Sequence, residues 1–159
     1  MQTLQAELRL RINQISLQYH RLLFLVNQNG QVKSDTLGEI IDELAIGYVN
    51  LGKELSLLLL NFTERQRIIC LLQLIEQIIN NYPTENPVFL EHIEILFEPY
   101  LHQDPLRLLE GLSRNRTLIG LWNGQYANGL LTYATPEHPE YHRYSIADIH
   151  VLNLVDYSM

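Results

Sequence analysis

The constraint that acts hardest on this chain is the three-and-four spacing of apolar residues along its N-terminal part. Leu4, Leu8, Ile12, Ile15, Tyr19, Leu22 and Val26 recur at steps of three or four, and at about 3.6 residues per turn such steps place all of them on one helical stripe. The spacing predicts a helix from Leu4 to Val26. It should close at Asn29-Gly30, because glycine accepts the left-handed backbone of a helix end. Ser34, Asp35 and Thr36 are candidate caps for a second helix, and Thr36 with Glu39 has capping-box spacing. Its stripe runs through Leu37, Ile40, Leu44, Tyr48, Leu51, Leu55, Leu58 and Phe62, interrupted only by glycines that cost about 1 kcal/mol each. Arg9, Arg11, Arg21 and Lys33 outweigh Glu7 in the first segment, whereas Asp35, Glu39, Asp42, Glu43 and Glu54 outweigh Lys53 in the second. Opposite charge on two long stripes joined by a short polar turn reads as an antiparallel helix hairpin.

The remaining chain extends that reading. Thr63 with Gln66 is a second capping box, opening a broadly apolar helix from Ile68 to Tyr82 that Pro83 stops. Asn86-Pro87 and Asp104-Pro105 each resemble a cap followed by the first helical residue, starting helices through Phe89 to Phe97 and Leu106 to Leu112. Beyond Thr117 the texture turns to strands. Asn123-Gly124 and Asn128-Gly129 are hairpin-turn signals, and Leu130 to Ala134, Tyr141 to Ile146 and Ile149 to Val155 read as strands. The expected fold is therefore mainly α. A helical bundle built on the long hairpin (1–116) carries a small C-terminal antiparallel β meander (117–159), the two forming a single domain.

Composition bounds function more than it identifies it. A chain of 159 residues with 47% hydrophobic and 18% charged residues can bury roughly 70% of its unfolded surface, so it needs no covalent or metal staple. Cys70 is the single cysteine and sits in an apolar run, which excludes an internal disulfide and reads as a small core residue in a reducing compartment. The N-terminus shows no basic segment followed by an apolar core, and no apolar stretch approaches a membrane span. A cytoplasmic protein with no membrane role is expected. The net charge of −7 comes without a dense basic stripe, which argues against binding nucleic acid by phosphate neutralisation.

Four residue sets could carry chemistry. His138, His142 and His150, with Glu137, Glu140 and Asp148 nearby, are the ligand types of a divalent metal site. Pro136 and Pro139 make that stretch a loop, where spacing says little about geometry. Glu91, Glu94 and Glu98 would share a helix face and form an acidic docking surface. Trp122, Tyr126, Tyr133, Tyr141 and Tyr144 concentrate aromatic area in the tail, where it can either dock a partner or cover the helices. Arg65, Arg67, Arg114 and Arg116 are local basic groups able to touch phosphate, or to complement acids and helix ends. No nucleophile elbow, phosphate-binding loop, dinucleotide fingerprint or paired-histidine zinc motif appears.

The function these features favour is a non-enzymatic interaction or assembly module, working through helix seams, the acidic face or the aromatic tail. Its partner would be another protein or a second copy, with no cofactor. The alternatives are a metal-dependent protein using the histidine-rich tail, and an accessory subunit of a nucleoprotein complex.

Overall fold

Leu22-Leu23-Phe24-Leu25-Val26 is an unbroken apolar run, and all five residues are buried. A strand with no polar alternate has no face to offer solvent, which suits the interior of a parallel sheet covered on both sides. The computed structural model describes residues 3–30, 32–133, 142–145 and 150–157, with the backbone alone at 29, 34 and 142–145. In it this run is strand β1 (Leu22–Val26). It belongs to a five-stranded sheet with β2 (Gly47–Asn50), β3 (Val88–Glu91), β4 (Leu118–Trp122) and β8 (His150–Asn153), in the order β2-β3-β4-β1-β8. Every pairing is parallel, with Leu22 opposite Leu118, Leu23 opposite His150, and Gly47 and Leu118 both opposite Val88.

Alternation along the strands divides the core in two. Leu22, Phe24 and Val26 pack with Val88, Leu90 and Leu118 against α3 (Leu51–Leu59), α4 (Glu64–Ile79) and α5 (Pro105–Leu112). Leu23 and Leu25 pack with Phe89, Ile119 and Leu152 against α1 (Leu4–Ile15) and α2 (Ser34–Glu43). The fold is thus α/β, and the expected bundle on a long helix hairpin is not formed.

The reason lies in shared periods. Leu22 and Val26 are four apart, which is one helical step but also two pleats of a strand, so they fit the stripe of α1 while belonging to β1. The second stripe hides a similar break. The helix α2 ends in a Schellman arrangement, with Ala45 N–H donating to the Asp42 carbonyl and Ile46 N–H to the Ile41 carbonyl, both at 3.1 Å. Ala45 holds the left-handed backbone there, with φ of 56°, a position that usually announces itself by glycine. The chain then forms β2, and the Asn50 side chain accepts from Lys53 N–H to start α3 anew.

Downstream, the proline signals divide. Thr63 and Gln66 form the full capping box of α4, and the Asp104 side chain accepts from the Leu106 and Arg107 amides at the start of α5. Asn86-Pro87, by contrast, leads into the fully buried β3, and two 3-10 turns (Ile93–Phe97 and Pro99–Leu101) follow in place of a helix. Of the two hairpin turns expected, the one at Asn123-Gly124 does not form and the other stands at Asn128-Gly129. Both of those residues have positive φ, and they join β5 (Gln125–Ala127) to β6 (Leu130–Tyr133) as a type I′ turn requires. With β7 (His142–Ser145) these strands make a small antiparallel sheet, whereas β4 and β8, expected in the meander, belong to the main sheet. Gly124 serves close approach, since a Cβ there would collide with the Thr132 carbonyl, the group that accepts from Trp122 Nε1 at 3.1 Å. Cys70 is half-buried on α4 against the core. Among the described residues no helix is long and apolar enough to cross a membrane.

Candidate functional site

In open parallel sheets, ligands meet the carboxyl ends of the strands where successive connections leave in opposite directions. That place here lies between the neighbours β1 and β4. The chain leaving β1 passes through α2 to β2 at one edge, and the chain leaving β4 runs through the small sheet to β8 at the other edge.

The described residues just after β1 are tied together by their own polar groups. Asn27 N–H donates to the Trp122 carbonyl at 2.9 Å, tying the loop to β4. Gln28–Gly30 makes a 3-10 turn, Gly30 adopts φ of 62°, and its N–H donates to the Asn27 carbonyl at 3.1 Å. The Asn27 side chain, 6% exposed, crosses the loop. Its Nδ2 donates to the Val32 carbonyl at 2.9 Å, and its Oδ1 accepts from Val32 N–H at 3.1 Å. Lys33 is exposed and α2 starts at Ser34. The other four α-helices start with a side chain accepting a hydrogen bond (Thr3, Asn50, Thr63, Asp104), whereas at α2 Lys33 supplies none. A helix N-terminus of that kind presents backbone N–H groups and a partial positive charge to an anion.

The order strand, loop, Lys-Ser, helix matches in length the phosphate-binding loop, in which Gly-x-x-x-x-Gly-Lys-Ser/Thr joins a strand to a helix. Asn27 and Val32 stand in this chain at the two glycine positions, and Gly30 lies between them. With neither glycine of the motif present, Lys33-Ser34 does not stand out in the sequence. The available signal was the apolar run immediately before the loop, had it been read as a strand.

Beside the loop, α2, β2 and β3 enclose a cleft of about 690 Å³, lined by Asp35, Asp42, Tyr48, Phe89 and Glu91 among others. Glu91 ends β3, is buried, and accepts a hydrogen bond from the Tyr48 hydroxyl. Burial, reinforced by that hydrogen bond and by the Glu91 charge, pushes the Tyr48 hydroxyl up to about 12. His92 has φ of 60° and stands 3.9 Å from both Glu91 and Glu94, and Asn123 at the end of β4 donates to Glu94. Loop and cleft are chemically opposite. The first leads to the α2 amides and a lysine, which suit an anion, and the second offers carboxylates to a cation.

The residues singled out from sequence are dispersed. Glu91, Glu94 and Glu98 do not share a helix face, because Glu91 belongs to a strand and Glu98 joins two 3-10 turns. Trp122 is 2% exposed, edge-on to Phe24 and Phe97, and Tyr133 stacks on Phe97 at 4.1 Å. These aromatics hold the small sheet to the core, and Tyr126 is half-buried against the same cluster. Tyr141 and His138 lie outside the described residues, as do the side chains of His142 and Tyr144.

His150 Nε2 lies 3.0 Å from Gln18 Oε1, and burial, aided by Arg11, lowers its pKa. Among the described residues no group of three or more potential ligands is placed to hold a metal ion. Arg65 is exposed, and Arg67 donates to the Leu59 and Phe62 carbonyls at the end of α3. Arg114 lies over the Tyr19 ring at 5.0 Å. Arg116 is buried and donates to the Tyr82, Pro83 and Asn86 carbonyls, its pKa lowered by burial against the opposing pull of Glu85. Comparison of the chain with protein-family models, with curated proteins and with solved structures finds no match in any of the three.

Proposed function

We propose that this protein is a nucleotide-binding domain of the P-loop type, taking a nucleoside triphosphate with its divalent cation across residues 27–34 and the cleft at Glu91. The observation that carries the reading is the placement of Lys33-Ser34. These residues form the junction between a central parallel strand and an α-helix whose N-cap, Lys33, makes no side-chain capping hydrogen bond, at the carboxyl edge of the sheet. Lys33 supplies a point charge to the phosphates, and the α2 amides supply donors. In such loops the serine or threonine and a carboxylate from a strand end hold the magnesium ion, positions occupied here by Ser34 and Glu91. The cation also resolves the charge conflict, since a bare triphosphate is repelled by the carboxylates of the cleft. Because Asn27 and Val32 replace the glycines that let the backbone approach phosphate, the proposal is binding without efficient turnover. A cytoplasmic setting, where nucleotide is available and a lone thiol such as Cys70 stays reduced, belongs to the same reading.

The test is calorimetric titration with ATP and magnesium. Saturable binding to the wild type, weakened about tenfold or more in Lys33→Ala, is expected from the loss of one charge-assisted contact. In Glu91→Gln the magnesium dependence should shrink. No binding by the wild type, or equal binding by Lys33→Ala, would overturn the reading.

An interaction role is supported separately by Leu57, Leu60, Ile69 and Leu72 of the α3–α4 layer, which are 57%, 72%, 73% and 44% exposed. Apolar residues gathered on one layer suit a protein partner or a second copy. Light scattering tests self-association. A dimer that dissociates in Leu60→Glu with Ile69→Glu would support it, and a monomer at all concentrations would leave only a different protein as partner.

A further inference from the structure

We infer that Asn27 is a built-in stopper of the phosphate loop, its carboxamide occupying the space and the donor that a phosphate oxygen would use. The inference rests on the nucleotide-binding reading. Asn27 is 6% exposed, so its side chain is turned into the protein and not out to water. Its Oδ1 takes the Val32 N–H at 3.1 Å, one of the backbone donors between the strand and Lys33, and Nδ2 holds the Val32 carbonyl at 2.9 Å. The carbonyl oxygen thus does for Val32 N–H what an anion would do, and the second bond fixes it there. Gly30 N–H is likewise taken, by the Asn27 main-chain carbonyl. A glycine at position 27 has no atoms with which to close the loop. With asparagine, an incoming phosphate competes with an internal ligand, and the loop opens only when both side-chain hydrogen bonds break. The ligand class concerned is a polyphosphate, and the contact is made to its oxygens and not to its base.

Removing the stopper should raise affinity by the fraction of time the loop is closed. Breaking two ordinary hydrogen bonds corresponds to roughly tenfold to a hundredfold. The experiment compares wild type and Asn27→Gly by calorimetry with magnesium-ATP and, separately, with magnesium tripolyphosphate. Circular dichroism reports the fold.

The expected result is at least tenfold tighter binding by Asn27→Gly, a similar gain with both ligands, and loss of the gain in the Asn27→Gly, Lys33→Ala double variant. A purely structural role for Asn27 would lower stability without any gain in affinity. Should Asn27→Gly not fold, Asn27→Ser, too short to span to Val32, decides in the same way. Wild-type binding that Asn27→Gly leaves unchanged or weakens overturns the stopper and leaves the nucleotide reading standing. Silence from both wild type and folded Asn27→Gly overturns the two together.

Discussion

Replacing Arg116 by methionine should destabilise the protein by about 3 kcal/mol, an effect that no surface phosphate contact would produce. The residue is 2% exposed, and its guanidinium reaches the Tyr82 carbonyl at 2.8 Å, the Pro83 carbonyl at 3.2 Å and the Asn86 carbonyl at 3.4 Å. It therefore staples the turn between α4 and β3 to the start of β4. Hydrogen bonds from a charged donor contribute about 1.5–3 kcal/mol each, so the two shorter ones give roughly 3–6 kcal/mol. Two effects pull the loss toward the lower end. Pro83 is exposed, so water can return to its carbonyl, and removing a desolvated charge offsets part of the cost. Methionine fills the volume of the arginine stem, so the cavity contribution is small. For a chain of this size about 3 kcal/mol corresponds to a Tm lower by roughly 6–12 °C. Urea unfolding followed by circular dichroism is the assay. Arg116→Lys should recover about half of the loss, because an ammonium cannot fork to separate carbonyls. Arg114→Met, which among the described residues gives up a cation–π contact over Tyr19, should cost no more than about 1 kcal/mol. An Arg116→Met variant within about 1 kcal/mol of wild type would refute the reasoning.

Two further outcomes follow from local geometry. Ala45→Gly should stabilise the protein by about 1 kcal/mol in the same unfolding assay, since Ala45 is exposed and holds a left-handed backbone that glycine adopts without strain. A destabilised variant would contradict the helix end described here. In alkali, Tyr48 ionises near 10 in the unfolded chain and at about 12 in the folded one. The unfolded state therefore releases its proton first, and stability falls as pH rises from 10 toward 12. In Tyr48→Phe that slope should shrink, measured as the urea midpoint at pH 9, 10 and 11. An unchanged slope would separate Tyr48 from the effect.

What could be read from sequence was local and chemical, and what could not was which period an apolar residue obeys. Thr63 with Gln66 and Asp104 with Pro105 specify helix starts through their own side chains, and both form as expected. Asn128-Gly129 specifies its turn because few other residues accept positive φ twice in succession. Leu22 and Val26 satisfy the helical and the pleated period at once, and only the apolar residues between them, Leu23, Phe24 and Leu25, distinguish a doubly buried strand from a stripe. At Ala45 the helix stop carries no glycine, so in the sequence the stripe of α2 runs on through β2 into α3. These two misreadings together convert an α/β sheet into a hairpin of long helices. They also conceal the candidate site, for Lys33-Ser34 acquires meaning only once a strand precedes it and a helix follows. Glu91 stands out in the sequence, but on a helix face with Glu94 and Glu98. Its place at the end of a buried parallel strand depends on pairing with Asn50 of β2, a contact that no local pattern encodes.

The most direct test of the central claim is a backbone amide NMR titration of the wild-type protein with magnesium-ATP. Saturable shifts are expected to concentrate on residues 27–37 and on the strand end at 91–94, with the α3 and α4 amides little changed. Saturable shifts centred on any other surface, or none at millimolar nucleotide, would contradict it.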